Sequence, residues 1–287
     1  MTYDLVIGDR AYSSWSLRGW LLFDVFNIPV RTHSVRLYTD ELATKLRDYV
    51  PGKSAPTMRT PDGVVVPETI AIAEELASRH PEAGIWPKDP RARAVARVLA
   101  AEMHAGFSVL REHCPMNLRA SYTDCTPPEA VLADLARLES LWAWARAETG
   151  GRWLAGDYSA ADAFYAPVAA RIAGYNLPVS AAALEYVQAH LEHPSFRRWR
   201  AMGMVDGADQ PFYARTWPQR PWPGPVPLHA VAVEGTAARN TRCPYSGKPV
   251  SDVLELAGQR YGFCNPFCRD KTVADPQAWP AFMAMLG

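Results

Sequence analysis

Short apolar runs alternate with longer segments of helical spacing over the first eighty residues. Residues 3–8 (YDLVIG) form an apolar run of strand length, closed by the polar stretch 9–14. Trp15, Leu17, Trp20, Leu21, Phe23, Val25 and Phe26 then crowd a helix-length segment. Its polar start carries Ser13, Ser14 and Ser16, any of which can cap it. Residues 28–37 alternate loosely and include β-branched side chains, which predicts a second strand. Residues 57–59 and 64–66 flank Thr-Pro-Asp-Gly, a hairpin signal. Ile70, Ala73, Leu76 and Ala77 place one apolar face on a helix over 69–79. The predicted order is strand, helix, strand, helix, hairpin, helix.

The texture changes after His80. A linker with Pro81, Pro87 and Pro90 leads into helical periodicity over 91–114, 128–149, 159–174, 181–190 and 195–202, without strands between. Six prolines and two tryptophans then fall within 211–227, which no helix can cross. Trp217 and Trp222 favour a strap lying on the helices over a free linker. The expected organisation is an α/β unit over 1–80, an all-α domain over 88–210, a strap or linker over 211–239, and a small unit over 240–287.

Composition narrows the class. The 287 residues are 48% hydrophobic and 21% charged, as a globular domain requires. Thirty basic and thirty acidic residues cancel, which removes the electrostatic grounds for a nucleic-acid or anionic-membrane partner, and neither is expected. No run of about 18 apolar residues is present, and the opening MTYDLVIGDR has no signal-peptide pattern. Five cysteines do not make a disulfide framework in a chain of this length. The expected compartment is the cytoplasm, with free thiols or a metal site.

Four short motifs share a familiar order. Residues 12–18 (YSSWSLR) follow the first strand, Ser54-Ala55-Pro56 precedes the hairpin, Pro67-Glu68-Thr69 opens the next helix, and residues 154–162 (LAGDYSAAD) hold Ser159 and Asp162 at capping-box spacing. In this order they resemble the serine-type bacterial glutathione S-transferases over roughly residues 3–205. The resemblance implies a thioredoxin-like α/β domain followed by an all-α domain, a homodimer, and glutathione as co-substrate for attack on an electrophilic small molecule.

Such chemistry needs a thiol held as thiolate, and each pKa unit of depression takes about 1.4 kcal/mol of preferential binding to the anion. A serine hydroxyl and a helix N-terminus both supply it, so Ser13, Ser14 and Ser16 are the candidate catalytic residues. The resemblance maps the thiol partner to Ser13. Its zeta-like pattern has cysteine where this chain has Trp15, which argues against the thiol-active isomerase subclass and leaves the choice of serine open. The resemblance also implies a cis bond at Pro56, with Ala55 pairing with the cysteinyl backbone of glutathione and Lys53 near its glycine carboxylate. Glu68 and Thr69, at a helix start, suit the ammonium and carboxylate of the γ-glutamyl group. His104, Phe107 and Arg111 are candidates for an electrophile pocket between the domains. The rival reading is a non-catalytic binding or regulatory protein of the same fold with a metal-sensing or metal-handling tail.

The tail carries Cys243, then twenty residues, then Cys264-Asn265-Pro266-Phe267-Cys268. Strands are predicted over 253–256 and 260–263, with Cys264 and Cys268 on one face of a helix start. Three thiolates in this arrangement suit zinc, with His229, Asp252, Asp270, water or a partner molecule as fourth ligand. The spacing resembles the TRASH and YHS modules, small treble-clef-like cysteine domains. The alternative is a metal-free module folded on its aromatic residues. Cys114 and Cys125 read as small hydrophobes.

Overall fold

The computed structural model describes residues 2–286. Strand β1 (Tyr3–Ile7) is followed by α1 (Ser14–Asp24), β2 (Val30–Ser34), α2 (Asp40–Leu46), β3 (Thr57–Arg59), β4 (Val65–Pro67) and α3 (Thr69–Arg79). The strands form one sheet in the order β2-β1-β3-β4, with β1 and β2 parallel and the other two pairings antiparallel. This is the thioredoxin-like arrangement. Leu5 and Ile7 alternate with Asp4 and Val6 along β1 and enter the core under α1 and α3 with Leu17, Leu21, Ile72 and Leu76.

Helices α4 (Pro90–Ala105), α5 (Ser108–His113), α6 (Glu129–Thr149), α7 (Ala160–Tyr175), α8 (Ala181–Glu192) and α9 (Pro194–Val205) make up the second domain. The single helix expected over 91–114 is two helices. Gly106 is extended and Phe107 sits at φ 57°, so the chain turns there and α5 takes a new direction. Every residue of α7 is buried, which a helix apolar all round and rich in alanine permits. The Ser159–Asp162 capping box starts it, as its spacing predicts. One continuous core joins the two domains, with Trp20 of α1 packed against Trp199 of α9 at 5.3 Å between ring centroids.

Trp217 packs edge-on against Tyr122 and Tyr175, and Arg200 covers the Trp222 ring, so the proline-rich stretch lies on the helical domain. The tail adds β5 (Ala230–Val233), β6 (Asp252–Leu256), β7 (Gln259–Phe263), α10 (Pro266–Ala274) and α11 (Pro280–Met283). Its three strands form an antiparallel sheet, β5-β6-β7. α10 lies against α9, where Arg197 forks onto both carboxylate oxygens of Asp275 at 2.7 and 2.8 Å. Among the described residues no helix is long and apolar enough to cross a membrane.

Candidate functional site

The first turn of α1 divides the three serines. Ser13 is the N-cap, accepting from the Ser16 N–H at 3.3 Å and donating its hydroxyl to Ser16 Oγ at 2.7 Å. Ser16 Oγ also accepts from the Gly8 N–H at 2.9 Å and is fully buried, so it braces the end of β1 against the helix. Ser14 differs. Its hydroxyl lines a cavity of about 300 Å³ between the domains, with an Arg171 Nη 3.5 Å away.

A second cavity, of about 230 Å³, is lined by Trp15, Ser54, Ala55, Pro56, Glu68 and Thr69. Four predicted residues from two separate motifs therefore meet. The Ala55–Pro56 bond is cis. Gly19 of α1 lets the helix rest on Pro56, since a Cβ there would meet Pro56 Cγ at 2.9 Å. Ala55 makes no backbone hydrogen bond among the described residues, leaving its N–H and C=O free for an extended ligand. Lys53 is exposed and does not line the cavity, which differs from its expected place, because its side chain leaves the loop toward solvent.

Glu68 and Thr69 hold the start of α3. Glu68 has φ 70° and ψ 127°, a costly conformation for a residue with a Cβ, and its side chain makes no cap bond. The Thr69 hydroxyl is not a cap either. It is buried, lines the cavity, and has no hydrogen-bond partner among the described residues. A buried hydroxyl left unpaired costs about 1–3 kcal/mol, so its position calls for an acceptor in the cavity. The N–H groups of the α3 N-terminus favour an anion there, and the Glu68 side chain is exposed beside it.

Trp15 stands between the two cavities. Arg18 lies over one side of its ring at 4.3 Å and Arg111 at 4.7 Å, while His104 meets it edge-on at 5.1 Å. Arg18 is fully buried and uses Nε on the Phe164 carbonyl at 2.8 Å. Burial, with Arg171 and Arg111 nearby, pushes its guanidinium well below its ordinary pKa. Burial and Arg111 likewise bring Arg171 down to about 10. Burial also lowers His104, against the pull of Glu68 at 3.7 Å, so the ring is neutral near pH 7.

Of the three residues expected to line the interdomain pocket, only Arg111 does. His104 turns toward Trp15 and Glu68, and Phe107 is buried in the break between α4 and α5. Arg171 was missed, although a lone arginine in the apolar run AADAFYAPVAARIAGY was a visible signal. Arg111 and Arg171 give the cavity a positive wall, with Glu112 at its rim.

The sulfurs of Cys243, Cys264 and Cys268 lie within 4.8 Å of one another in the tail. Cys264 precedes Asn265, the N-cap of α10, so only Cys268 is on the helix, a correction to the expected shared helical face. None of the three fourth ligands foreseen within the chain joins the cluster. Asp252 and Asp270 both face Arg269, and His229 is exposed elsewhere. Burial pushes the Cys114 thiol up to about 12, in keeping with a packing role.

Residues 12–79 match the family described as Glutathione S-transferase, N-terminal domain. Over 101 residues the chain is 33% identical to the probable maleylacetoacetate isomerase of Caenorhabditis elegans, a match that covers 35% of this chain and 46% of that protein. The chain thus spans just under half the length of this curated relative. Among solved structures, a glutathione transferase homologue from Burkholderia gl BGR1, with bound glutathione, superposes with a TM-score of 0.54 at 21% identity, covering 71% of this chain and 98% of that one. The maleylacetoacetate isomerase of Anaeromyxobacter dehalogenans 2CP-1, with glutathione in its active site, superposes at 0.51 and 23% identity, covering 71% and 97%. The first two domains have the glutathione transferase fold.

Proposed function

We propose that this chain is a glutathione-dependent enzyme that directs the glutathione thiolate at an anionic electrophilic small molecule. The observation that carries this reading is the buried, unpartnered Thr69 hydroxyl in one cavity with Glu68 and Ala55. Bound glutathione supplies a nucleophilic sulfur. Thr69 and the α3 N-terminus receive the γ-glutamyl carboxylate, Glu68 takes the ammonium, and the free N–H and C=O of Ala55 pair with the cysteinyl backbone. Ser14 donates its hydroxyl to the sulfur, since Ser13 and Ser16 are bound to each other. The N-terminus of α1 and the Arg171 charge favour the thiolate over the thiol. The expected homodimer belongs to the same proposal.

The electrophile's charge follows from the other cavity. Arg111 and Arg171 face it, and a carboxylate there would gain charge-assisted hydrogen bonds. Maleylacetoacetate, named for the C. elegans and Anaeromyxobacter relatives, carries carboxylates, which brings isomerisation into view beside transfer despite Trp15.

The test is calorimetric titration of glutathione into the wild-type chain and Ser14→Ala, followed by a panel of carboxylate-bearing and neutral electrophiles with Arg111→Gln. Binding in both chains is expected, with the ultraviolet thiolate band lost in Ser14→Ala. Arg111→Gln should lose activity selectively on the carboxylates. Stoichiometric consumption of glutathione marks transfer, and turnover without consumption marks isomerisation. No glutathione binding by the folded chain would overturn the proposal.

A further inference from the structure

The tail carries a second set of chemical groups, distant in sequence from the glutathione motifs. Cys243 sits in the turn before Gly247, Cys264 at the end of β7, and Cys268 in the first turn of α10. The Cys264 and Cys268 sulfurs are 4.0 Å apart. Tetrahedral zinc with sulfur at about 2.3 Å requires neighbouring sulfurs about 3.8 Å apart, so this pair already has nearly the ligating separation, and Cys243 Sγ, within 4.8 Å of both, needs a shift of at most about 1 Å. Donors already face the sulfurs. The Ser246 hydroxyl donates to Cys264 Sγ at 3.1 Å and the Asn265 amide at 3.4 Å. Such donors support thiolate ligands in the way that outer-shell groups fix a metal site.

An independent observation points to the charge of the occupant. Lys271 of α10 is nine-tenths buried. Its ammonium lies 4.0 Å from the Trp279 ring, 4.2 Å from Tyr245 and 5.6 Å from Phe267. No carboxylate pairs with it among the described residues. The ionisable groups that face it are Cys268, Cys243, Cys264 and Arg10. A buried cation without an anion is costly, and an aromatic cage offsets only part of that cost. Three thiolates around a divalent cation carry a net charge of minus one. One adjacent ammonium makes the unit neutral.

We infer that Cys243, Cys264 and Cys268 form a three-thiolate site for a divalent d10 cation such as zinc, with Lys271 as its built-in counter-ion. Each thiol gives its proton to solvent as its sulfur–metal bond forms. The fourth position falls to a ligand from solvent, because Cys264 and Cys268 are half-exposed and, among the described residues, no further histidine or carboxylate joins the cluster. Lys271 is a positioning residue and touches no metal itself.

The experiment uses the full chain, purified with zinc in the medium and dialysed without chelator. Mass spectrometry of the metal content should give one zinc per chain. Replacement by Co2+ should give the intense sulfur-to-metal charge-transfer band of a tetrahedral thiolate site, absent from Cys268→Ser. Chelator competition should show Lys271→Met weakening zinc roughly tenfold to a hundredfold, with Lys271→Arg restoring most of the loss. Three thiols that titrate freely in the zinc-exposed wild-type chain, or a Cys264–Cys268 disulfide in freshly reduced protein, would overturn the metal site. Unchanged zinc affinity in a folded Lys271→Met chain would overturn the counter-ion. The wild-type measurements decide the first question even where a variant fails to fold.

Discussion

Replacing Thr69 by valine separates what the hydroxyl does for the ligand from what it does for the fold. Valine keeps the branched shape and the χ1 restriction of threonine, so packing at the start of α3 is preserved. In the free chain the Thr69 hydroxyl is buried without a partner. Removing an unpaired buried polar group recovers part of a penalty of about 1–3 kcal/mol. The methyl group then sits where the hydroxyl did, and helix propensity takes back a few tenths. A net gain of about 1 kcal/mol should raise Tm by roughly 2–4 °C in a chain of this size. Glutathione affinity should move the other way. A hydrogen bond to a carboxylate contributes about 1.5–3 kcal/mol, so Kd should rise by roughly 10-fold to 150-fold. The two effects predict a crossover in thermal unfolding. At a glutathione concentration of about 100 times the wild-type Kd, the wild-type chain gains about 2.7 kcal/mol. A variant bound tenfold more weakly gains only about 1.4 kcal/mol. Thr69→Val should therefore melt above wild type without glutathione and no higher than wild type with it. Titration calorimetry and scanning fluorimetry measure both halves. Unchanged Kd would refute the assignment of the carboxylate to Thr69, and a free variant less stable than wild type would show that its hydroxyl is satisfied within the fold.

Ser13→Ala should lower stability by about 1 kcal/mol through loss of the α1 cap while the thiolate band of bound glutathione persists; Ser14→Ala should do the reverse, and a common phenotype in the two would refute the division of roles. Asp4 is held down to about 2 by its hydrogen bonds to Arg31 and His33, against the opposing effect of burial. A folded-state pKa below the unfolded value of 3.8 means that its stabilisation is present above pH 3.8 and is lost as pH falls toward 2. Asp4→Asn should accordingly flatten the acid limb of the unfolding profile in that window, and an unaltered limb counts against the pairing. Arg197→Met leaves the buried Asp275 carboxylate without its fork. Urea unfolding should register a loss of about 1–4 kcal/mol, between the surface and buried limits for an ion pair, and a change below about 0.5 kcal/mol would show that the tail docks by other contacts.

What was legible in the sequence was what neighbouring residues decide. Helix α3 is found at its predicted bounds because Pro67 precedes it, one apolar face runs through it, and Pro81 follows shortly after its end. The break at Gly106 and Phe107 was hidden because helical spacing continues on both sides, and a reversal of direction leaves the periodicity intact. Strand β5 was not foreseen. Its partner β6 begins about twenty residues later, and a four-residue run after a proline-rich strap carries no hairpin signal. The same division applies to the site. Ala55, Pro56, Glu68 and Thr69 could be singled out because each belongs to a short motif, and β3 and β4, paired between the two motifs, bring them together.

The choice among the serines depends on distant groups. The Gly8 amide secures Ser16, and Arg171, more than 150 residues away in sequence, sits beside Ser14. The position of the tail is decided at similar range. Arg10 lies between the Trp199 ring of α9 at 5.8 Å and the Phe267 ring of α10 at 5.7 Å, and the Trp199 indole donates to the Arg10 carbonyl at 2.8 Å. Phe267 is the residue before Cys268, and Arg10 opens the turn that ends at Ser13 and Ser14. The cysteine cluster and the turn that leads into α1 therefore share one aromatic and cationic stack. Sequence separates them by more than 220 residues, and the packing of α10 on α9 brings them together.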